Sequence, residues 1–329
     1  MSPRARKVLG RLIPIVFYTA LVVFLAFYLS GIDWAVLNGI DISWGFLVIA
    51  TVLSLGFRYW GVGIWFFLLR RLGAGSLRGQ RIALAFVYAK SWLGRYIPGA
   101  ATWILGKIYF ASKLGVSRSK LAVSGLLEGG LQIVATLAFA ILVLLIDPRT
   151  LSLGWGFGVG MAAALLVCVI ALIPPVFRRI VNRALRLARR EPLPASAFPT
   201  VSTLLISVAL YLGGALLAGA SYFFIAAAIY PEIDAADALF VIGATSLASA
   251  LSMLAVFAPG GLGVREGVLG LLLAFVVPGE IALVIVVVTR VWSFVVDGLF
   301  FAVAGITQQI AGRKNGPAEQ VAGLKDARE

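Results

Sequence analysis

The sequence predicts an all-α polytopic membrane protein with about six transmembrane helices and two re-entrant helical hairpins in an inverted-repeat arrangement. Of its 329 residues, 61% are hydrophobic and only 13% are charged, and the mean hydropathy is +1.02. A soluble domain carries about 25% charged residues, so most of this surface is expected to face lipid. Several apolar runs are long enough to cross a bilayer, and two more are interrupted by proline and glycine.

Six apolar segments are predicted spans, because each reaches the roughly 20 helical residues needed to cross about 30 Å of hydrocarbon. They lie at 12–30, 43–69, 121–146, 153–174, 199–230 and 280–310. The first follows a basic segment at 1–11 and is expected to be a retained anchor rather than a cleaved signal peptide. The sequence thus predicts a single transmembrane domain at 12–310, followed by a polar, disordered tail at 311–329.

Two stretches, about 82–112 and 238–277, are predicted to enter the membrane and turn back. Pro98 and Gly99 interrupt the first, and Pro259-Gly260-Gly261 interrupts the second. Each stretch is expected to form two half-helices, because proline removes a helical hydrogen bond and glycine weakens the helix around it. The first is flanked by basic loops and the second by acidic loops, so each is expected to return to its side of entry.

The positive charges follow the pattern of a membrane topology signal. Lysine and arginine cluster at 4–11, 70–81, 113–120, 178–190 and 313–314, and the formal net charge is +14. The acidic residues assigned to the opposite side are Asp33, Asp41, Asp147, Glu232, Asp234, Asp237 and Glu280, against Arg149 alone. This pattern predicts a multi-pass protein of the plasma (inner) membrane with cytoplasmic N- and C-termini. A nucleic-acid partner, which basic patches can also indicate, is not expected.

The order of the segments carries a symmetry. The first half consists of a span, a hairpin that enters from the inner side, and a second span. The second half has the same order in the opposite orientation, with a hairpin that enters from the outer side. Inverted repeats whose broken helices meet near the midplane are typical of transporters. Trp34, Trp44, Trp155 and Tyr230 fall at the predicted outer boundary, where amphipathic aromatic side chains prefer to lie.

Composition and motifs argue against several kinds of chemistry. The sequence has no histidine and one cysteine, Cys168, so zinc catalysis and haem ligation are not expected. The glycine runs lack the Gly-Lys-Ser/Thr ending of an ATP-binding loop. We therefore predict no metal, no cofactor and no enzymatic activity.

Nine ionisable residues are placed at hydrocarbon depth, where each would cost on the order of 3 kcal/mol if exposed to lipid. They are Arg58, Lys90, Arg95, Lys107, Arg265 and Arg290, with Glu128, Glu266 and Asp297. Six cations against three anions leave an excess that a bound anion would neutralise. Arg95, Arg265 and Arg290 are predicted to lie at one depth without internal partners. The half-helix N-termini after Gly99 and Gly261 would add partial positive charge there.

Ion pairing is the alternative for the remaining charges. Lys107, Glu128 and Asp297 share a predicted depth, and Arg290 lies two turns from Asp297 on one helix face. Arg58 and Lys90 are expected to be structural, because long basic side chains can extend to the membrane surface or bridge helices.

Two motifs carry a resemblance to a known family. They are Arg95-Tyr96-Ile97-Pro98-Gly99, followed by Lys107, Gly115-Val116-Ser117 and Glu128, and Ala258-Pro259-Gly260-Gly261-Leu262-Gly263-Val264-Arg265-Glu266. Over about 10–310, the chain resembles the lysylphosphatidylglycerol synthase transmembrane-region family, a flippase-like membrane module also found at the N-terminus of the bifunctional synthase/flippase. The resemblance implies movement of a lipid with a charged or glycosylated head group to the outer leaflet. Attachment of lysine to lipid is not expected of this chain.

The predicted function is that of a lipid flippase or transporter with a positively charged intramembrane cavity. Its expected substrates are lipids with phosphate-containing or glycosylated head groups, and its expected protein partners are a second copy or an enzyme of envelope-lipid biosynthesis. The predicted substrate-binding residues are Arg95, Pro98, Gly99, Lys107, Glu128, Pro259, Gly260, Gly261, Arg265, Glu266, Arg290 and Asp297. Two alternatives stay open: an intramembrane transferase acting on a polyprenyl-phosphate-linked sugar, and an accessory subunit of an envelope-lipid enzyme.

Overall fold

The computed structural model describes residues 41–74, 77–96, 102–187, 191–255, 261 and 263–315. Regular secondary structure within these ranges is helical, and no strand occurs in them. The predicted all-α class is therefore confirmed. The predicted N-terminal segment at 1–11, the span at 12–30 and Trp34 lie outside the described residues.

The helices of these ranges are labelled in chain order. They are α1 (Trp44–Arg71), α2 (Arg81–Trp92), α3 (Thr102–Ser112), α4 (Arg118–Leu145), α5 (Pro148–Leu151), α6 (Trp155–Leu172), α7 (Pro174–Leu187), α8 (Val201–Ile229), α9 (Ala238–Leu254), α10 (Val264–Leu273) and α11 (Gly279–Asn315). In the described part, α1, α4, α6, α8 and α11 are long and apolar enough to cross a membrane, and they coincide with five predicted spans. A sixth candidate, Ala235–Leu254, consists of α9 and the turn before it.

Both interrupted stretches form pairs of helices, as predicted. In the first, α2 has 12 residues and continues into a 3₁₀ turn at Leu93–Tyr96, and α3 has 11 residues. At 1.5 Å per residue, α2 and α3 are each about 18 Å long or less, too short to cross roughly 30 Å of hydrocarbon alone. In the second, α10 has 10 residues, whereas α9 with its preceding turn has the length of a span.

Local sequence signals fix several helix starts. The Thr200 hydroxyl accepts a hydrogen bond from the Thr203 N–H at the start of α8. Asp147 caps α5 in the same way, with proline at the first helical position. Asp234 and Asp237 form a capping box before α9. Short polar side chains stabilise these ends because the first N–H groups of a helix have no intrahelical partner.

The helices pack around a centre formed by both halves of the chain. α1 packs along α8, α2 packs against α11, and α4 packs against α9. The paired helices α2 with α3 and α9 with α10 also contact each other. The ends of these four shorter helices are thereby enclosed by α1, α4, α8 and α11.

Two helices lie at the periphery. In α6 only Cys168 is buried, so the surface of this apolar helix is available to lipid. α7 is amphipathic, with Phe177 and Val181 buried on one side and Arg178, Arg179, Arg183 and Arg186 exposed. Residues 178–187 of the basic segment are therefore helical, with a polar face suited to the membrane surface.

The end of the chain corrects one predicted boundary. α11 continues to Asn315, so the predicted tail at 311–329 begins too early. Residues 316–329 lie outside the described residues. The helix extends past Arg313 because long polar side chains such as Gln308 and Arg313 are good helix formers where hydropathy no longer favours the membrane.

Candidate functional site

A cavity of about 460 Å³ lies among the membrane helices. α1, α4, α8 and α11 form its walls, and the ends of the shorter helices reach into it. Those ends contribute Trp92, Arg95 and Tyr96 after α2, Trp103 and Ile104 of α3, Ser252, Met253 and Ala255 at the end of α9, and Gly261 and Arg265 at the start of α10. Residues from both sequence motifs therefore meet in one cavity.

Asp297 of α11 organises the first cluster of charges at this cavity. Its Oδ1 atom accepts hydrogen bonds from Arg58 Nε at 2.8 Å and from Trp92 Nε1 at 3.1 Å. Its Oδ2 atom lies 2.5 Å from Arg95 Nη2 and also accepts from the Tyr96 hydroxyl. The carboxylate is 1% exposed. Because two guanidinium groups share one carboxylate, this cluster retains one positive charge.

Lys107 and Glu128 form the second cluster. The Lys107 ammonium group donates to Glu128 Oε2, and the Tyr88 hydroxyl donates to Oε1 at 3.1 Å. The ammonium group also lies over the rings of Trp103 and Tyr88, at 4.0 and 4.8 Å from their centroids. Both charged residues are 2% exposed, so this pair is balanced and well shielded from water.

Arg290 and Arg265 form the third cluster. Arg290 Nη1 lies 3.2 Å from Glu266 Oε1, and the Gly263 N–H donates to Glu266 Oε2 at 2.8 Å. Arg265 lies over the Tyr222 ring, with its guanidinium carbon 5.0 Å from the centroid. Within the part of the chain that the structure describes, no carboxylate forms an ion pair with Arg265.

These contacts correct part of the charge prediction. Arg95 and Arg290 were predicted to lack internal partners, and this is wrong, because Asp297 and Glu266 pair with them. The suggested pairing between Arg290 and Asp297 along one helix face is also wrong, since both find partners on neighbouring helices. Arg58 bridges α1 and α11 as expected of a structural cation, but it also lines the cavity.

A cationic surplus nevertheless remains. Five cations, Arg58, Arg95, Lys107, Arg265 and Arg290, belong to the three clusters with only three carboxylates. The excess of positive over negative residues is larger at the cavity wall. Four arginines line the cavity, whereas Glu128 is the one carboxylate among its described lining residues. Lys90, the sixth predicted cation, is exposed and lies over Phe110 at 4.2 Å. An anion entering the cavity would meet an unbalanced positive field.

The conformation of Gly261 explains the residue type at one predicted site position. Its φ angle is +68°, a left-handed conformation that L side chains rarely adopt. An added Cβ atom would lie 2.4 Å from Ser252 Cβ. Pro98, Gly99, Pro259 and Gly260, the other predicted site residues of the two interruptions, lie outside the described residues.

Sequence reasoning missed the aromatic and hydroxyl residues of the site. Tyr88, Trp92 and Tyr96 recur at intervals of four residues, a spacing that places them on one helical face, and all three contact a buried carboxylate. Tyr211, Thr245 and Ser246 also line the cavity. Their hydroxyl oxygens are buried without a hydrogen-bond partner in the described part of the chain.

Fold and cavity together define a polytopic α-helical membrane protein with a cationic chamber among its helices. A family model described as "Lysylphosphatidylglycerol synthase TM region" matches residues 11–300. The chain therefore belongs to this family, and the predicted resemblance is confirmed. Comparisons with curated proteins and with solved structures gave no significant match.

Proposed function

We propose that this chain is a lipid flippase that moves a lipid with an anionic or glycosylated head group between membrane leaflets, with the head group passing through the cavity. The observation that carries the proposal is the set of four arginines, Arg58, Arg95, Arg265 and Arg290, lining a chamber inside a membrane protein. A phosphate would neutralise their surplus charge. Arginine suits this role because its planar group binds phosphate through two parallel hydrogen bonds.

The size of the cavity supports transport of the head group alone. Its volume of about 460 Å³ lies within the roughly 300–1,000 Å³ typical of small-molecule sites. Such a chamber accommodates a head group but not two long hydrocarbon chains. The chains are therefore expected to stay in the bilayer while the head group crosses between the helices.

The re-entrant hairpins and the inverted repeat are part of this proposal. The helix contacts are consistent with two equivalent sets of four helices, in which α1 corresponds to α8, α2 to α9, α3 to α10 and α4 to α11. Each of the main contacts between helices of these sets then has a counterpart among the observed contacts. The packing of α2 on α11 corresponds to that of α9 on α4, and the packing of α3 on α4 corresponds to that of α10 on α11. This correspondence supports two repeats whose short helices meet at the cavity, as in many transporters.

The proposed orientation follows from the loops. The cytoplasmic side would carry the basic residues around Arg71, Arg118 and α7, and the outer side the acidic residues at Asp147, Asp234 and Glu280. Both termini would then be cytoplasmic, in the plasma membrane.

A transporter fits the carboxylates of the site better than an enzyme does. Glu128, Glu266 and Asp297 are each held by a cation at short distance. A general base needs a carboxylate free to reach a proton of the substrate. The three carboxylates instead balance charge and orient the arginines.

The test compares Arg265→Gln with Arg290→Gln in liposomes that contain a panel of anionic and glycosylated lipids. Loss of Arg265 is expected to lower leaflet exchange at least about tenfold, which is what loss of one charge-assisted hydrogen bond produces, with little change in melting temperature. Loss of Arg290 should lower both quantities, because it leaves Glu266 without its cation. Arg265→Lys should rescue exchange poorly.

Arg183→Gln is the matched control, because Arg183 is exposed on α7 and does not line the cavity. This variant should exchange lipid normally. Normal exchange by Arg95→Gln, Arg265→Gln and Arg290→Gln would contradict the proposal that the cavity carries an anionic head group.

A further inference from the structure

The cavity has a second chemical character besides its arginines. Tyr211 of α8 and Thr245 and Ser246 of α9 belong to the wall, and each carries a buried hydroxyl group. These residues are 6%, 2% and 3% exposed. Within the described residues, none of the three hydroxyl oxygens has a hydrogen-bond partner. Buried hydroxyl groups in proteins are nearly always hydrogen-bonded, so three at one cavity wall require an explanation.

Other helical hydroxyls in the same molecule are satisfied locally. Thr51 donates to the Leu47 carbonyl at 2.7 Å, Ser207 to the Thr203 carbonyl at 2.7 Å, and Ser293 to the Thr289 carbonyl at 2.8 Å. This bond to the carbonyl four residues earlier is the usual solution for serine and threonine inside a helix. Thr245 and Ser246 do not use it, so no hydrogen bond to their own helix within the described residues has to break before their hydroxyl groups bond to a ligand in the cavity.

Aromatic side chains also line the chamber, and several of them are held in place by hydrogen bonds. Trp60 Nε1 donates to the Leu210 carbonyl at 2.7 Å, and Trp292 Nε1 donates to Thr51 Oγ1 at 3.0 Å. Trp92, which donates to Asp297, and Trp103 are two further indoles in the wall. The negative face of an aromatic ring attracts the slightly positive C–H groups on the face of a sugar or cyclitol ring.

We infer that the head group bound here is a phosphate ester of a polyhydroxylated ring, either a sugar or a cyclitol. Its phosphate would contact the arginines, and its ring hydroxyls would hydrogen-bond with Tyr211, Thr245 and Ser246. The inference rests on the proposed function and narrows its substrate class. One ligand is expected to carry both the phosphate and the polyhydroxylated ring, because the arginines and the residues that carry these hydroxyl groups line the same cavity.

The same wall disfavours an aminoacylated, cationic head group. Among the described residues, Glu128 is the carboxylate that lines the cavity, and Lys107 already binds it, while the neighbouring groups carry surplus positive charge. A lysyl head group would bring further ammonium groups into this field without a free carboxylate to receive them within the described residues.

Binding is measured on the purified full chain in detergent by thermophoresis, with five short-chain probes. Farnesyl-phosphate-linked glucose and dioctanoyl phosphatidylinositol carry a phosphate and a polyol ring. Dioctanoyl phosphatidic acid carries only the phosphate, and dioctanoyl glucosyl diacylglycerol only the sugar. Lysylphosphatidylglycerol carries the cationic alternative. The two polyol phosphates are expected to bind at least about tenfold more tightly than the other three, and the better of the two identifies the ring.

Three variants assign the effect to the hydroxyl groups. Tyr211→Phe, Thr245→Val and Ser246→Ala should each weaken polyol-phosphate binding roughly three- to tenfold and leave phosphatidic acid binding unchanged. Without lipid, their melting temperatures should not fall, because no hydrogen bond within the described residues is lost. Thr307→Val removes an exposed hydroxyl of α11 that bonds to the Val303 carbonyl of its own helix, so it is the control for binding and should leave the affinity for every probe unchanged.

Leaflet exchange, measured separately, distinguishes the two proposals. Equal weakening of all probes by the hydroxyl variants, or tightest binding of lysylphosphatidylglycerol, would overturn the head-group class whether or not lipids exchange. Selective binding of the polyol phosphates without any exchange in liposomes would instead sink the flippase proposal and leave the head-group class intact.

Discussion

Asp297 shows how single residues make a charged cavity tolerable inside a membrane protein. Arg58, Trp92, Arg95 and Tyr96 all donate to its two oxygens. The carboxylate therefore fixes the positions of both guanidinium groups while neutralising only one of them. Buried cations that are oriented in advance bind an anion without paying the cost of ordering at the moment of binding.

The Lys107–Glu128 pair has the opposite character, because it is complete without a ligand. We expect Lys107→Met to lower the free energy of unfolding by about 3–5 kcal/mol, since it leaves the carboxylate of Glu128 buried without a cation. The double variant Lys107→Met/Glu128→Gln should recover much of the loss. Thermal unfolding in detergent measures both.

Lys90→Met is the matched control, because Lys90 is exposed on α2 and contacts the Phe110 ring. Its melting temperature should stay close to that of the parent chain. If the double variant is as unstable as Lys107→Met alone, Lys107 does not stabilise the protein through its ion pair with Glu128.

At the scale of elements, glycines allow neighbouring helices to approach closely. A Cβ atom added at Gly219 of α8 would lie 2.7 Å from Ile242 Cα of α9. At Gly61 of α1, it would lie 2.7 Å from the Tyr88 hydroxyl of α2. Small residues at helix interfaces let backbones pack directly, which is a main source of association between helices in membranes. Both contacts join a cavity wall to a shorter helix.

Gly219→Ala tests this packing. It should destabilise the protein by about 1–3 kcal/mol, because a methyl group against the backbone of α9 forces the helices apart. Gly298→Ala, in α11 with no atom within 4 Å of the added Cβ, should be neutral or stabilising by up to about 1 kcal/mol. Melting temperatures in detergent compare them, and equal values would argue against close packing of α8 on α9.

At the scale of the whole molecule, hydropathy predicts the elements better than their contacts. The bilayer sets the length of a span, so α1, α4, α6, α8 and α11 follow from apolar runs alone. The division of each interrupted stretch into two helices, α2 with α3 and α9 with α10, follows from proline and glycine in the sequence between them. The partners of Asp297 do not, because Arg58 and Arg95 lie 239 and 202 residues away, and their pairing depends on how helices rotate and slide against each other.

The same limit applies to the hydroxyl groups. Thr245 and Thr51 have the same chemistry on similarly apolar helices, yet only Thr51 bonds to its own helix in the described structure. Side-chain rotamers and helix rotation decide this, and neither is visible in residue types. The cationic surplus was predictable, because it depends on composition at membrane depth, whereas its division among three clusters was not.

The proposed topology makes a prediction for the whole chain. Cysteines introduced at Arg81 and Ser117, the two flanks of the first hairpin, should both be labelled by a membrane-impermeant maleimide only from the cytoplasmic side. Cysteines at Ala236 and Glu280, the flanks of the second, should both be labelled only from outside. All four positions are exposed, and the native Cys168 is buried, so background labelling should be low.

The labelling distinguishes a re-entrant second hairpin from one in which α9 crosses the membrane. The second arrangement is an alternative because α9 with its preceding turn has the length of a span. If α9 crosses the membrane and α10 does not return, Ala236 and Glu280 will be labelled from opposite sides, and the inverted repeat fails with them. If both pairs are labelled from one side each, and from opposite faces of the membrane, the two halves must be inverted relative to each other. The helix ends that carry Arg95 and Arg265 to the cavity then enter from opposite faces of the membrane, which gives a head group a path from either leaflet to the arginines.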